Sequence, residues 1–348
     1  MMHPALLVRF RPSGPWRFGP ASGVRDEVDR ICHSDTLYSA VSGAMMRLGL
    51  LEEWLADTAR NAEGSAVRFS SCCPWMGDLL LVVPPRTLWP PAAAPKVRWK
   101  SAQFVPLRLV PALLAEEPLR EENWWIDGPS RCLLPQRGRQ RSGPFRPAFR
   151  SHATVDRLTG NALPHRSACL EFAPDAGLWT VAVFGSEDAR RRWAAPVRSA
   201  CQLLADSGLG GRRSLGWGHS EPPEFTEGTF PEMILPAAEA APESPDTEPR
   251  PVAWWLLSLF VPALEDAVDW QKGSYALVTR GGRIESPARW GEPKRLVRMI
   301  AEGSVLVAPV PPRGAAPDVA PDGFPHPVYR AGYAVAVPVP IRPAEVRA

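Results

Sequence analysis

Residues 208–218, GLGGRRSLGWG, place five glycines, two arginines and a tryptophan in eleven positions, directly after a segment with helical periodicity. Glycines at 208, 210, 211, 216 and 218 free the backbone for positive φ and for close approach of a partner, and their N–H groups can point at an anion. Arg212 and Arg213 add charge-assisted contacts that fork onto phosphate, and Trp217 either covers a base or plugs a core. A nucleotide P-loop does not fit, because no Gly-Lys-Ser/Thr ending is present and the loop follows a helix instead of opening one. Two readings stay open: a tight turn packed on its own sheet, or a loop that embraces an extended polyanion.

A second stretch supports the polyanion. Residues 131–166 hold eight arginines and one acidic residue, interleaved with Phe145, Phe149, His152 and His165. That mixture tracks a phosphate backbone and stacks bases, and Arg137, Arg139, Arg141 and Arg150 are its candidate contacts. HATVDRLTGNA at 152–162 reads as a hairpin arm projecting from the body. The alternative is a solvated loop.

Catalytic signatures are weak. The histidines His3, His33, His152, His165, His219 and His326 fall into no spacing that pairs them for acid–base chemistry. Asp26, Glu27, Asp29 and Asp35 precede or open the first helix, where salt bridges or capping outweigh a hydrolytic role. The six cysteines form no C-x-x-C, and G-x-S-x-G and H-E-x-x-H are absent, so no metal or cofactor is expected.

The elements that must position these residues follow from patterning. ALLVRFRP at 5–12 reads as a strand, and HSDTLYSAVSGAMMRLGLLEEWL at 33–55 as one helix capped by Ser34 or Asp35. GDLLLVVPP at 77–85 is a strand, and 102–117 a strand edge followed by a short helix. SACLEFAPDAGLWTVAVFG at 167–185 predicts a strand pair, and 186–208 a helix with Ser186 as N-cap and Gly208 as stop. A second strand pair is expected over 223–235. Residues 236–251, rich in Pro, Ala and Glu, read as a flexible linker. Beyond it lie a strand at 252–263, a strand and turn at 274–284, a helix and strand over 292–310, and a closing strand at 329–341. The order is α+β. A net charge of +3 implies no bulk polycation, and no stretch offers about 18 uninterrupted apolar residues. The N-terminus moves too quickly into Arg and Pro for a signal peptide, so a cytoplasmic protein is expected.

HSDTLYSAV at 33–41, TVDRLTGNA at 154–162 and GLGGRRSLGWG at 208–218 occur in the order found in the RAMP superfamily of CRISPR proteins. The chain most resembles the fourth-subunit group of the type III-A Csm effector complex. The resemblance implies two ferredoxin-like (RRM-like) domains: 1–235, carrying the inserted β-hairpin arm (about 131–166) and the glycine-rich loop, and 252–348, joined by the 236–251 linker. It implies a non-catalytic ribonucleoprotein subunit for antiviral defence that caps the 5′ repeat-derived handle of the CRISPR RNA. Its partners would be the large polymerase/nuclease subunit, the backbone RAMP subunit and, near the arm, target RNA. Carried over by position, His33, Ser34, Asp35 and Thr36 would lie near the handle with Gly208, Gly210, Gly211, Arg212, Arg213, Ser214, Gly216 and Trp217, and His152, Thr154 and Arg157 on the arm. The alternative is a metal-independent endoribonuclease that processes precursor CRISPR RNA, with His33 its first catalytic candidate.

Overall fold

The run PALLVRF leaves no face polar enough to stay wet, and His3–Phe10 (β1) is a largely buried strand with neighbours on both sides. It belongs to a computed structural model that describes residues 2–20, 23–91, 99–136, 142–236 and 252–341. After β1 come helices Ser34–Arg47 (α1) and Leu51–Asp57 (α2). They replace the single helix expected over 33–55, because Gly49 at φ +75° breaks the helical backbone between them. Val67–Phe69 (β2), Cys73–Met76 (β3), Leu79–Val82 (β4) and Val105–Pro106 (β5) follow, then a short helix, Val110–Leu114 (α3), and the hairpin of Trp124–Asp127 (β6) and Cys132–Pro135 (β7).

The arm is a hairpin of Phe145–Val155 (β8) and Ala162–Phe172 (β9), paired from Phe145↔Phe172 to Val155↔Ala162. Ala176–Phe184 (β10) is buried at all nine positions, and Glu187–Ser207 (α4) and Glu224–Phe230 (β11) complete the first unit. The strand pair expected over 167–185 does not form, since β9 pairs with β8 and β10 joins the central sheet. Over 223–235 only one strand exists, β11, and it pairs with β1 rather than with a neighbour in sequence.

The central sheet is antiparallel in the order β11-β1-β10-β3-β4-β5, with β2 also on β10. Taking β2 and β3 as one interrupted strand, the strand–helix–strand–strand–helix–strand sequence is laid out fourth, first, third, second. Helix α4 packs on β1 and β10 and against α1.

The second unit holds Val252–Leu256 (β12), Asp269–Ser274 (β13), Leu277–Arg280 (β14), Arg283–Glu285 (β15), Trp290–Pro293 (β16), Val297–Ile300 (β17), Val305–Ala308 (β18), Gly314–Ala315 (β19), Gly332–Tyr333 (β20) and Ala336–Val339 (β21). Its main sheet runs β13-β18-β12-β21, again fourth, first, third, second read from the other edge. No helix occurs in 252–341; loops and hairpins stand where the first unit has helices. Of the helix and strand expected over 292–310, the strand stands as β18, while the chain forms strand β17 in place of the helix, with a turn between them in which Gly303 takes φ +78°. Of the 236–251 linker, only Pro236 lies within the described residues. Among those residues, no helix is long and apolar enough to cross a membrane.

One apolar core runs through both units, from Val8 and Trp179 to Trp255, Tyr333 and Val337. All six cysteines are buried and unbridged. Two helices and the core meet at Trp54 and Trp193, whose rings stand edge to face with centroids 5.2 Å apart. Each indole N–H is satisfied, Trp54 by Ser42 Oγ at 3.0 Å and Trp193 by Asp57 Oδ2 at 2.9 Å, as buried donors require. Trp193→Ala is expected to lower stability by about 3–5 kcal/mol in urea unfolding. Arg191→Ala, on the solvent face of the same helix, should stay within about 0.5 kcal/mol of the parent.

Candidate nucleic-acid interface

Helix α4 is bounded as its sequence dictates: Ser186 Oγ accepts from the Ala189 amide at 3.1 Å, and Gly208 ends it at φ +89°. The loop beyond folds back on residues 15–17. Gly211 donates to the Arg17 carbonyl at 2.8 Å and Gly218 to the Pro15 carbonyl at 3.0 Å. Gly210 shows why side chains are absent: a Cβ there would stand 2.4 Å from the Arg17 carbonyl oxygen, with φ at +95°. Part of the glycine content therefore serves packing of the loop on its own protein. The N–H groups of Gly210 and Ser214 donate to no acceptor among the described residues, and Gly216 at φ +77° borders open space.

The side chains divide as well. Arg212, itself left-handed at φ 64°, donates to Ser167 Oγ at the arm root at 3.1 Å. Arg213 pairs with Glu285 of the second unit. Trp217 is only 5% exposed and packs on His152 at 5.8 Å, with His165 stacked on His152 at 5.5 Å. Its expected role as a base contact gives way to the plug: the arm covers the indole face that a base would need.

Opposite the loop, the start of α1 is turned toward the second unit. Ser34 Oγ accepts from the Leu259 amide at 3.0 Å, and the Ser34 amide donates to Ser71 Oγ at 2.8 Å. Asp35 takes Arg280 through two bonds of 3.1 Å and also pairs with Arg330. Neither Ser34 nor Asp35 caps α1, whose N-cap is His33 with no side-chain capping bond to the helix; both expected cap groups are consumed by the second unit. His33 Nδ1 lies 2.8 Å from Glu302 Oε1, and Glu302 also accepts from Ser71 Oγ. Thr36 Oγ1 accepts from Arg280 at 3.0 Å.

Burial alone would raise the Asp35 carboxyl, but the Arg280 and Arg330 guanidiniums outweigh it and hold the group at about 2. For His33, burial disfavours the charged ring, yet the Glu302 carboxylate prevails and raises its pKa. Glu302 is lowered in turn, the His33 charge overcoming the same burial.

Between loop and clasp lies a cleft of ≈ 270 Å³ bordered by Arg17, Gly208, Gly210, Gly211 and Arg213 on one side and His33, Asp35 and Thr36 on another. Arg280, Gly281, Gly282, Glu285, Lys294 and Arg330 of the second unit also line it. The structure thus brings the HSDT segment and the glycine loop to one cavity, although Ser34 points away from it. Sequence patterning missed Arg17, Lys294, Arg280 and Arg330. Arg17 donates to the carbonyls of Ala168 at 2.6 Å and Val24 at 2.9 Å and keeps its charge beside the cleft. Lys294 has no carboxylate partner among the described residues; burial, helped by Arg330, lowers its pKa to about 8. Among the described residues the cleft walls carry more cationic than acidic side chains, and Lys294 is the cation in them left without an acceptor.

The remaining predicted contacts lie elsewhere. Arg150 pairs with Glu171 at 2.5 Å along the arm, Thr154 and Arg157 are exposed toward its tip, and His152 is held under it against Trp217. Arg137, Arg139 and Arg141 fall outside the described residues. Asp29, by contrast, lines the cleft and approaches Arg280 at 3.8 Å.

Residues 252–339 match the family model described as the CRISPR Csm4 C-terminal domain. No curated protein matches the chain. Among solved structures, it is similar to a chain of the Csm3–Csm4 subcomplex of a type III-A CRISPR-Cas interference complex, at 17% identity and a TM-score of 0.64, with 96% of this chain and 99% of that one covered. It is also similar to a chain of a Csm1–Csm4 cassette in complex with cA4, at 18% identity and a TM-score of 0.56, with 97% and 99% covered.

Asp35→Asn leaves two buried guanidiniums short of a counter-charge and is expected to cost about 3–5 kcal/mol at pH 7. The folded carboxyl titrates near 2 against 3.8 as its reference value. Its depressed pKa stabilises above pH 4, and that contribution is lost as pH falls toward 2. Urea unfolding of parent and variant should therefore converge by about 2 kcal/mol across that window; a gap independent of pH would contradict the charged clasp.

Proposed function

We propose that this chain, whose residues 252–339 belong to the CRISPR Csm4 C-terminal domain family, is the CRISPR RNA-binding subunit that holds the 5′ repeat-derived handle in a type III effector complex. The observation that carries the reading is the cationic cleft, built jointly by the glycine loop, the HSDT segment and the second unit. The free amide of Gly210, the Arg213 guanidinium and the unpaired Lys294 ammonium, all lining the cleft, offer donors of the kind a sugar-phosphate thread requires. The strand order fourth, first, third, second in both sheets supports two ferredoxin-like units, the second with loops in place of helices.

Similarity to chains solved with Csm3 and with Csm1 supports a place beside subunits of those two kinds. The role is binding and not cutting. His33, the first candidate for a metal-independent endoribonuclease, has its Nδ1 on Glu302, within the clasp that joins the units.

The test is fluorescence anisotropy of the full chain with labelled handle RNA over a series of salt concentrations. Arg213→Ala combined with Lys294→Ala should weaken binding about tenfold and make log K against log salt shallower by about 0.7 for each phosphate that is no longer neutralised. Unchanged affinity and slope would remove the cleft as the RNA site.

A further inference from the structure

Trp290, 73% exposed, is the most exposed aromatic side chain among the described residues. It begins β16, and its cross-strand partner in β15 is Glu285. Ile284, 3% exposed, turns inward, so alternation along the strand sends Glu285 to the opposite face, and its directly paired Trp290 shares that face. Cβ atoms of such a pair stand about 5 Å apart. Glu285 lines the cleft and is bonded to Arg213 of the glycine loop, so the hairpin that presents Trp290 is tied to that loop at the cleft rim.

We propose that Trp290 is a stacking platform for one base of a single-stranded RNA whose backbone lies in the cleft. This rests on the reading of the cleft as an RNA site. Burying an indole in a protein partner calls for a contiguous apolar patch, and the hairpin around Trp290 instead carries Arg283, Glu285, Arg289 and Glu292. Those charges surround a flat apolar face without covering it. Arg283 is turned onto the Gly291 carbonyl at 2.7 Å, and Arg289 onto Glu292 at 3.5 Å, so neither guanidinium closes over the ring. A base stacks on such a face whatever its identity, which suits a strand whose phosphates are gripped a short distance away. The platform comes from the second unit and the free loop amides from the first, so a bound strand would bridge the two.

The experiment uses the full chain and handle RNAs carrying 2-aminopurine at successive positions. Trp290→Ala should bind about tenfold more weakly and lose quenching at one position, while Trp290→Phe keeps most of both and thermal unfolding is unchanged. If Trp290→Ala binds and quenches like the parent while Arg213→Ala with Lys294→Ala still weakens binding, the platform is wrong and the cleft stands. If neither variant weakens binding, the cleft reading falls and the platform with it. If Trp290→Ala loses a purified partner subunit but not RNA, the residue is a protein-docking one and the proposal is overturned.

Discussion

A single buried carboxylate, Asp35, sets how the two halves of the molecule meet. Apolar burial already joins them, since Trp255, Tyr333 and Val337 belong to the same core as the first-unit sheet. Burial is non-directional, however, and would accept many relative orientations. The fork of Arg280 on both Asp35 oxygens is directional, and Arg330 adds a second guanidinium while donating to the Gly281 carbonyl at 2.6 Å. Desolvating these charges opposes their attraction, so the clasp adds less to stability than its bond count suggests. Its larger effect is to fix where Gly281, Gly282, Glu285 and Lys294 stand relative to the glycine loop.

The same cluster tunes the charge of the cleft. Two guanidiniums share Asp35, Asp29 stands 3.8 Å from one of them, and Glu285 answers Arg213, so the field from the walls is moderated rather than abolished. Arg17 donates to backbone carbonyls, which carry no net charge, so these hydrogen bonds do not neutralise it. Burial, with Arg330 as a like charge beside it, lowers the Lys294 pKa to about 8, a cost that an arriving phosphate would offset.

Local signals were readable from the sequence, and long-range ones were not. The Ser186 cap, the Gly208 stop and the hairpin turn of the arm act through neighbours in the chain, and each stands where its pattern put it. Asp35 meets Arg280 across 245 residues and Arg330 across 295, distances over which no spacing rule operates. The HSDT segment drew attention as a helix start, and Ser34 and Asp35 have the right chemistry for capping. What overrode the local preference was a second unit supplying stronger partners: an amide from Leu259 and two guanidiniums. The helix expected at the start of the 292–310 segment gave way for a related reason, β17 pairing instead with β14.

The glycine loop resolves the two readings with which it began into a division by position. Where the loop presses on residues 15–17, as at Gly210, the missing side chain lets backbone meet backbone. That pressing is what holds the loop's free amides in place: a loop merely flexible would lose them to solvent and to entropy on each encounter. Arg212 contributes in the same sense by anchoring on Ser167, leaving Arg213 as the loop's guanidinium at the cleft. Self-packing and anion binding are thus successive requirements on one segment, the first supplying the rigidity that makes the second cheap.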